Sequence, residues 1–100
     1  MIVIHATVLI DAAKVPTAIA AMKEMMDASR KEAGCHAYTF TLDLYDGARF
    51  HILEEWESDE VLAKHFAMPH MAKFQQAMGG FGVKEMKAEK FVVSSKGPLR

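Results

Sequence analysis

Carboxylates and imidazoles are the side chains best suited to moving protons at neutral pH, and this sequence crowds them into one passage. From Arg49 to Phe74 it reads RFHILEEWESDEVLAKHFAMPHMAKF, with His51, His65 and His70, Glu54, Glu55, Glu57 and Glu60, and a single tryptophan, Trp56. Strand alternation puts Glu54 between Ile52 and Trp56 on one face, where a carboxylate must be paired, hydrated or protonated. His65, on the inward stripe of the helix that follows, is the expected partner. A buried glutamate there would fix the imidazole tautomer and raise its basicity, as a general base requires. The same pair would also serve as a plain tie between helix and sheet. Trp56 and Tyr38 read first as core aromatics, with a pocket wall as the less favoured reading.

Other chemistries find less support. His65 and His70 are five residues apart across Pro69, and no His-x3-His or Cys-x2-Cys spacing exists to build a metal site, so no metal is expected. Cys35 and His36 are strand neighbours whose side chains point to opposite faces, which leaves Cys35 as a small buried residue. His5 and His51 read as structural, His36 as solvated, and His70 as a partly exposed residue of a helix start. No glycine-rich loop joins a strand to a helix, so no nucleotide, flavin or nicotinamide cradle is indicated.

The elements that must hold these residues follow from periodicity. Ile2, Ile4, Ala6, Val8 and Ile10 share one face of a first strand. Val15, Ala18, Ile19, Met22, Met25, Met26 and Ser29 then repeat at helical spacing, with Pro16 in the first turn and Gly34 as the stop. Cys35–Asp43 and Phe50–Glu57 alternate as two strands around an Asp46-Gly47 turn. Ser58 is an N-cap, with Asp59 and Glu60 in the first turn of a helix whose stripe is Val61, Leu62, His65 and Phe66. Pro69 breaks that helix; a second piece presents Met71, Phe74, Gln75 and Met78 until Gly79-Gly80, with His70 stacked under Phe74. Val83–Val93 is the last strand. The order βαββαβ is that of an α+β, ferredoxin-like fold, a four-stranded antiparallel sheet with helices on one face. Its other face carries Leu53 and Phe91 with Val3 and Leu9, or the opposite set of that first strand, more apolar surface than a monomer usually exposes, which predicts a homodimer through the sheet faces.

Composition sets the outer bounds. One hundred residues, 51% hydrophobic and 25% charged, make one domain over residues 1–95 with a mobile tail at 96–100. A net charge of −1 with scattered Lys and Arg gives no footprint for nucleic acid. The apolar start stops at Asp11, short of the ~20 residues needed to cross a bilayer, and lacks signal-peptide features, so no membrane partner is expected. A lone cysteine suits a reducing compartment, and the expected location is cytoplasmic.

The segments Glu32-Ala33-Gly34-Cys35-His36-Ala37-Tyr38, Glu54-Glu55-Trp56-Glu57-Ser58, Leu62-x-x-His65 and Pro69-His70-Met71-x-x-Phe74 together resemble the antibiotic biosynthesis monooxygenase (ABM) domain family, and within it the small quinol monooxygenase-like proteins. The resemblance runs over nearly the whole chain. It implies a dimeric α+β barrel with a pocket between sheet and helices in each subunit. It also implies a cofactor-independent monooxygenase reaction of O2 with a quinol or another electron-rich aromatic or enol. In that scheme His65 is the catalytic base and Glu54 orients it; Trp56, Tyr38, Phe74, Ile52 and Phe66 bind substrate, and His70 lies near the mouth. Two departures narrow the substrate. Ile52 stands where the polyketide oxygenases of the family carry an amide, and Gln75 with Ala6 or His5 stands where haem-degrading relatives carry their axial histidine and asparagine. Isomerase-type proton transfer on a small oxygenated metabolite and a non-enzymatic dimeric ligand-binding module are the alternative readings.

Overall fold

Strand β1 (Ile2–Leu9) buries Ile2, Ala6 and Val8, as its alternation predicts, and Ile10 continues the same face. The computed structural model describes residues 1–100. Asp11 accepts a hydrogen bond from Ala13 N and caps a short 3-10 turn over Ala12–Lys14, which leads into α1 (Val15–Ser29). Pro16 occupies the first turn, where its missing N–H costs nothing, and Ala18, Met22, Met25 and Ser29 form the buried stripe.

The helix ends earlier than a glycine stop would place it. Arg30 is its C-cap, and residues 30–34 turn away before β2 (Cys35–Leu42) begins. Gly34 has a φ of 84°, and a Cβ there would come within 2.8 Å of a Val61 methyl carbon. Only glycine suits both the left-handed backbone and the close approach of helix α2.

A bulge between Cys35 and Ala37 shifts the expected faces at the start of β2. Cys35 thereby joins the side of Tyr38 and packs against the core, while His36 is exposed. Strand β3 (Arg49–Trp56) buries Phe50, Ile52 and Trp56, so Glu54 does lie on the core side. Ser58 caps α2 (Asp59–Phe66) by accepting from Val61 N, and Asp59 and Glu60 sit in its first turn. Pro69 opens α3 (Pro69–Met78), and β4 (Glu85–Val92) closes the sheet in the order β2-β3-β1-β4, antiparallel throughout. This is the α+β ferredoxin-like arrangement expected from the element order. No helix is long and apolar enough to cross a membrane.

Helix cover is uneven. Helix α1 packs on β2 and α3, and α2 rests on β3, but β4 pairs within the sheet only with β1 and every one of its residues is exposed. The half of the helix-side face over β1 and β4 is therefore open.

Candidate functional site

The opening is a cleft of about 650 Å³ between the sheet and helices α2 and α3. Its floor is Ile4, Ala6, Ile52, Tyr38 and Phe40, its roof Leu62, Phe66, Met71, Phe74 and Met78, and its open side Met86, Ala88 and Lys90 of β4. Lys90 Nζ pairs with Asp59 at 3.1 Å and ties β4 to the start of α2 at the rim. Among the lining carboxylates Glu54 alone is not solvent-exposed; Asp59 and Glu89 are. An apolar cleft with one inner carboxylate suits an uncharged organic molecule carrying a polar group at one end.

Glu54 is held by Trp56, which lies two residues on along the same strand face. The indole N–H donates to Glu54 Oε1 at 2.8 Å, and Trp56 itself is fully buried. Burial pushes the Glu54 carboxyl above the usual carboxylate range, the Glu32 charge adds to this, and the indole hydrogen bond opposes it. Tyr38 crosses the same region, 3% exposed, its phenol raised far above its usual pKa by burial and then by the Glu54 charge. It enters the site neutral. The Cys35 thiol is likewise raised, by burial first and then by Glu32 and Glu54, so it is no thiolate nucleophile.

The sequence pattern does not foresee the partner that His65 takes. His65 Nδ1 donates to Glu32 Oε2 at 2.7 Å, and His70 Nε2 bonds the same oxygen at 2.7 Å, whereas Glu54 bonds Trp56. The expected tie between Glu54 and His65 is thus replaced by two separate pairs. His65 is 1% exposed, its ring 4.4 Å from that of Trp56 and 5.5 Å from that of Tyr38. Glu32 could not have been found from helix or strand period, because it lies in the turn after α1, 33 residues before His65.

Of the residues expected at a pocket, Glu54, Tyr38, Ile52, Phe66 and Phe74 line the cleft. Phe66 does so from the rim, 60% exposed, and not from the buried stripe assigned to it. Trp56, His65 and His70 stand outside the lining. Trp56 ends its strand beneath α2 and is covered by His65, and His70 is turned toward Glu32 instead of toward the mouth or Phe74. On the uncovered sheet face His51 Nε2 bonds Asp43 at 2.8 Å and stacks on His5 at 5.8 Å. These two histidines are not among the residues that line the cleft.

The family model described as antibiotic biosynthesis monooxygenase matches residues 1–77. A crystal structure of a conserved protein from Bacteroides thetaiotaomicron, described as a possible oxidoreductase, is 34% identical with a TM-score of 0.82, over 90% of this chain and 94% of that one. A Deinococcus radiodurans structure, that of a candidate antibiotic biosynthesis monooxygenase, covers 100% of this chain and 99% of that one. Its TM-score is 0.91 and its identity 22%, so it shows the fold alone. The probable quinol monooxygenase YgiN of Escherichia coli K12 is 34% identical over 58 residues, which is 50% of this chain and 56% of that protein. The chain thus spans about half the length of the curated relatives it matches.

Proposed function

We propose that this chain, which belongs to the antibiotic biosynthesis monooxygenase family, is a monooxygenase acting with O2 on a small quinol or a comparable electron-rich aromatic or enol. The observation that carries the proposal is the pairing of one raised, indole-held carboxyl, Glu54, with an otherwise apolar cleft of about 650 Å³. A bicyclic aromatic fits such a volume, its rings against Ile52, Phe66, Phe74 and the Met71 and Met78 side chains, and its hydroxyl directed to the inner end beside Tyr38.

In this reading Glu54, ionised, takes the hydroxyl proton, because it is the inner carboxylate of the lining and its raised pKa makes it a stronger base than a solvated one. The substrate anion transfers one electron to O2, and the two radicals combine to form a carbon–oxygen bond and a hydroperoxide. Loss of water leaves one oxygen atom on the carbon as a carbonyl and places the other in the water released. Apolar walls favour the electron transfer by keeping proton donors away from the anion. His65, buried behind Trp56 and Tyr38, acts as a positioning residue through its contact with the Trp56 ring, and not as the base that its place on the helix suggests. The name of the E. coli relative supports a quinol as substrate, and Ile52, an apolar residue at the cleft floor, supports a small apolar one.

The test is oxygen consumption with menadiol as the reduced naphthoquinol. Consumption above the autoxidation rate, with hydroxyquinone formed in proportion, is expected. Turnover of an oxygenated metabolite without O2 would replace this reading with proton-transfer chemistry. Saturable quenching of Trp56 fluorescence with no turnover would replace it with a binding module.

The protein works, in this proposal, as a homodimer joined through the sheet faces. Leu53 and Phe91, 45% and 48% exposed, support this on the face that no helix covers. Sedimentation at micromolar concentration should give about twice the monomer mass of 11.1 kDa; a monomer would rule the dimer out.

A further inference from the structure

One cluster of ionisable groups lies behind the cleft and takes no part in its proton transfer. Glu32, His65 and His70 place a carboxylate oxygen, an Nδ1 and an Nε2 all within 4.8 Å of one another. Three separate segments supply them: the turn after α1, the buried face of α2, and the first turn of α3. In one continuous helix, side chains five residues apart would diverge by about 140°. The break at Pro69 redirects α3 so that both imidazoles reach the same carboxylate.

We propose that Glu32, His65 Nδ1 and His70 Nε2 form a binding site for a divalent transition-metal ion of the zinc type. Two arguments support it. The first is charge: the Glu32 side chain is 5% exposed, and its only ion-pairing partners are these two imidazoles, with no lysine or arginine nitrogen within reach. A buried carboxylate needs compensating charge, which protonated imidazole or a bound cation can supply. The second is the donor set, since two imidazole nitrogens and a carboxylate oxygen are the ligands that zinc-like ions take.

The geometry requires little movement. Ligand atoms about 2.0–2.1 Å from a tetrahedral ion lie about 3.4 Å apart, so each 2.7 Å contact to Glu32 must widen by about 0.7 Å. His70, with its side chain 22% exposed, stands at the edge and can shift; it also provides the entry path. On binding, each imidazole presents a lone pair where it now shares a proton with Glu32. The ion would bolt α2 and α3 to the turn after α1, leaving one coordination position for water.

The experiment uses the full chain, freed of metal by a chelator and dialysed, with Zn2+ and Co2+ as probes and no quinol present. Its outcome is therefore separate from that of the oxygenase assay. One equivalent of Zn2+ should bind in calorimetry and raise the melting temperature, and Co2+ should give visible d–d absorption. Glu32→Gln and His70→Ala, each verified as folded by circular dichroism, should weaken Zn2+ binding by ~10-fold or more. His51→Ala, which removes the other histidine–carboxylate pair, should leave it unchanged. Absence of stoichiometric binding to the unmodified chain would overturn the proposal. Equal affinity in the His70→Ala variant, or loss of binding in His51→Ala alone, would also overturn it.

Discussion

Glu54→Gln should lower kcat/KM for quinol oxidation by about 10²- to 10⁴-fold, the range spanned by loss of a general base. The substitution keeps the side-chain shape and still offers an oxygen to the Trp56 indole, so it removes the base and little else. The pH profile gives a second reading. Burial raises the Glu54 carboxyl, so the base form in the original protein should disappear as pH falls through that raised value. The acid limb of kcat/KM should therefore lie above the usual carboxylate range. Stability should move the other way. A carboxyl that titrates higher folded than unfolded favours the fold below its unfolded pKa, and that contribution is lost as pH rises through the folded value. At neutral pH the glutamine variant is relieved of a desolvated charge and should unfold no earlier than the original, as measured by denaturant midpoint. Unchanged turnover in a folded Glu54→Gln protein would remove Glu54 from the mechanism.

How much of this was legible in the residue order depends on the range of each interaction. The placement of Glu54 beside Trp56 on the inner face of β3 follows from the two-residue period, and the start of α2 follows from Ser58 and the acidic turn after it, because both are set by neighbours in sequence. The role of Glu32 follows from nothing local: its partners lie 33 and 38 residues away, and only the folded chain brings them together. The face shift at His36 comes from a bulge, which inserts one residue without any mark in the hydrophobic pattern. Helical spacing puts Phe66 on the apolar stripe of α2, but the stripe runs out over the open half of the sheet and leaves Phe66 exposed.

Trp56 provides the other large effect, on stability through its volume and on chemistry through its N–H. It is fully buried at the end of β3, between His65 and Tyr38. Trp56→Ala should cost about 3–5 kcal/mol, because the cavity cannot collapse under a helix that Ser58 and the sheet hold in place. That is a large share of the ~5–15 kcal/mol by which domains are usually stable, and thermal or urea unfolding will measure it. Trp56→Phe separates the two contributions: it retains an aromatic ring against His65 but has no donor for Glu54 Oε1. The indole hydrogen bond is the opposing influence on a carboxyl already raised by burial, so without it the carboxyl should rise further. The acid limb of kcat/KM should then move to higher pH, while the denaturation midpoint falls by less than in Trp56→Ala. If the two pH profiles superimpose, the indole does not hold Glu54 in the working protein, and the strand neighbour two residues away only fills space.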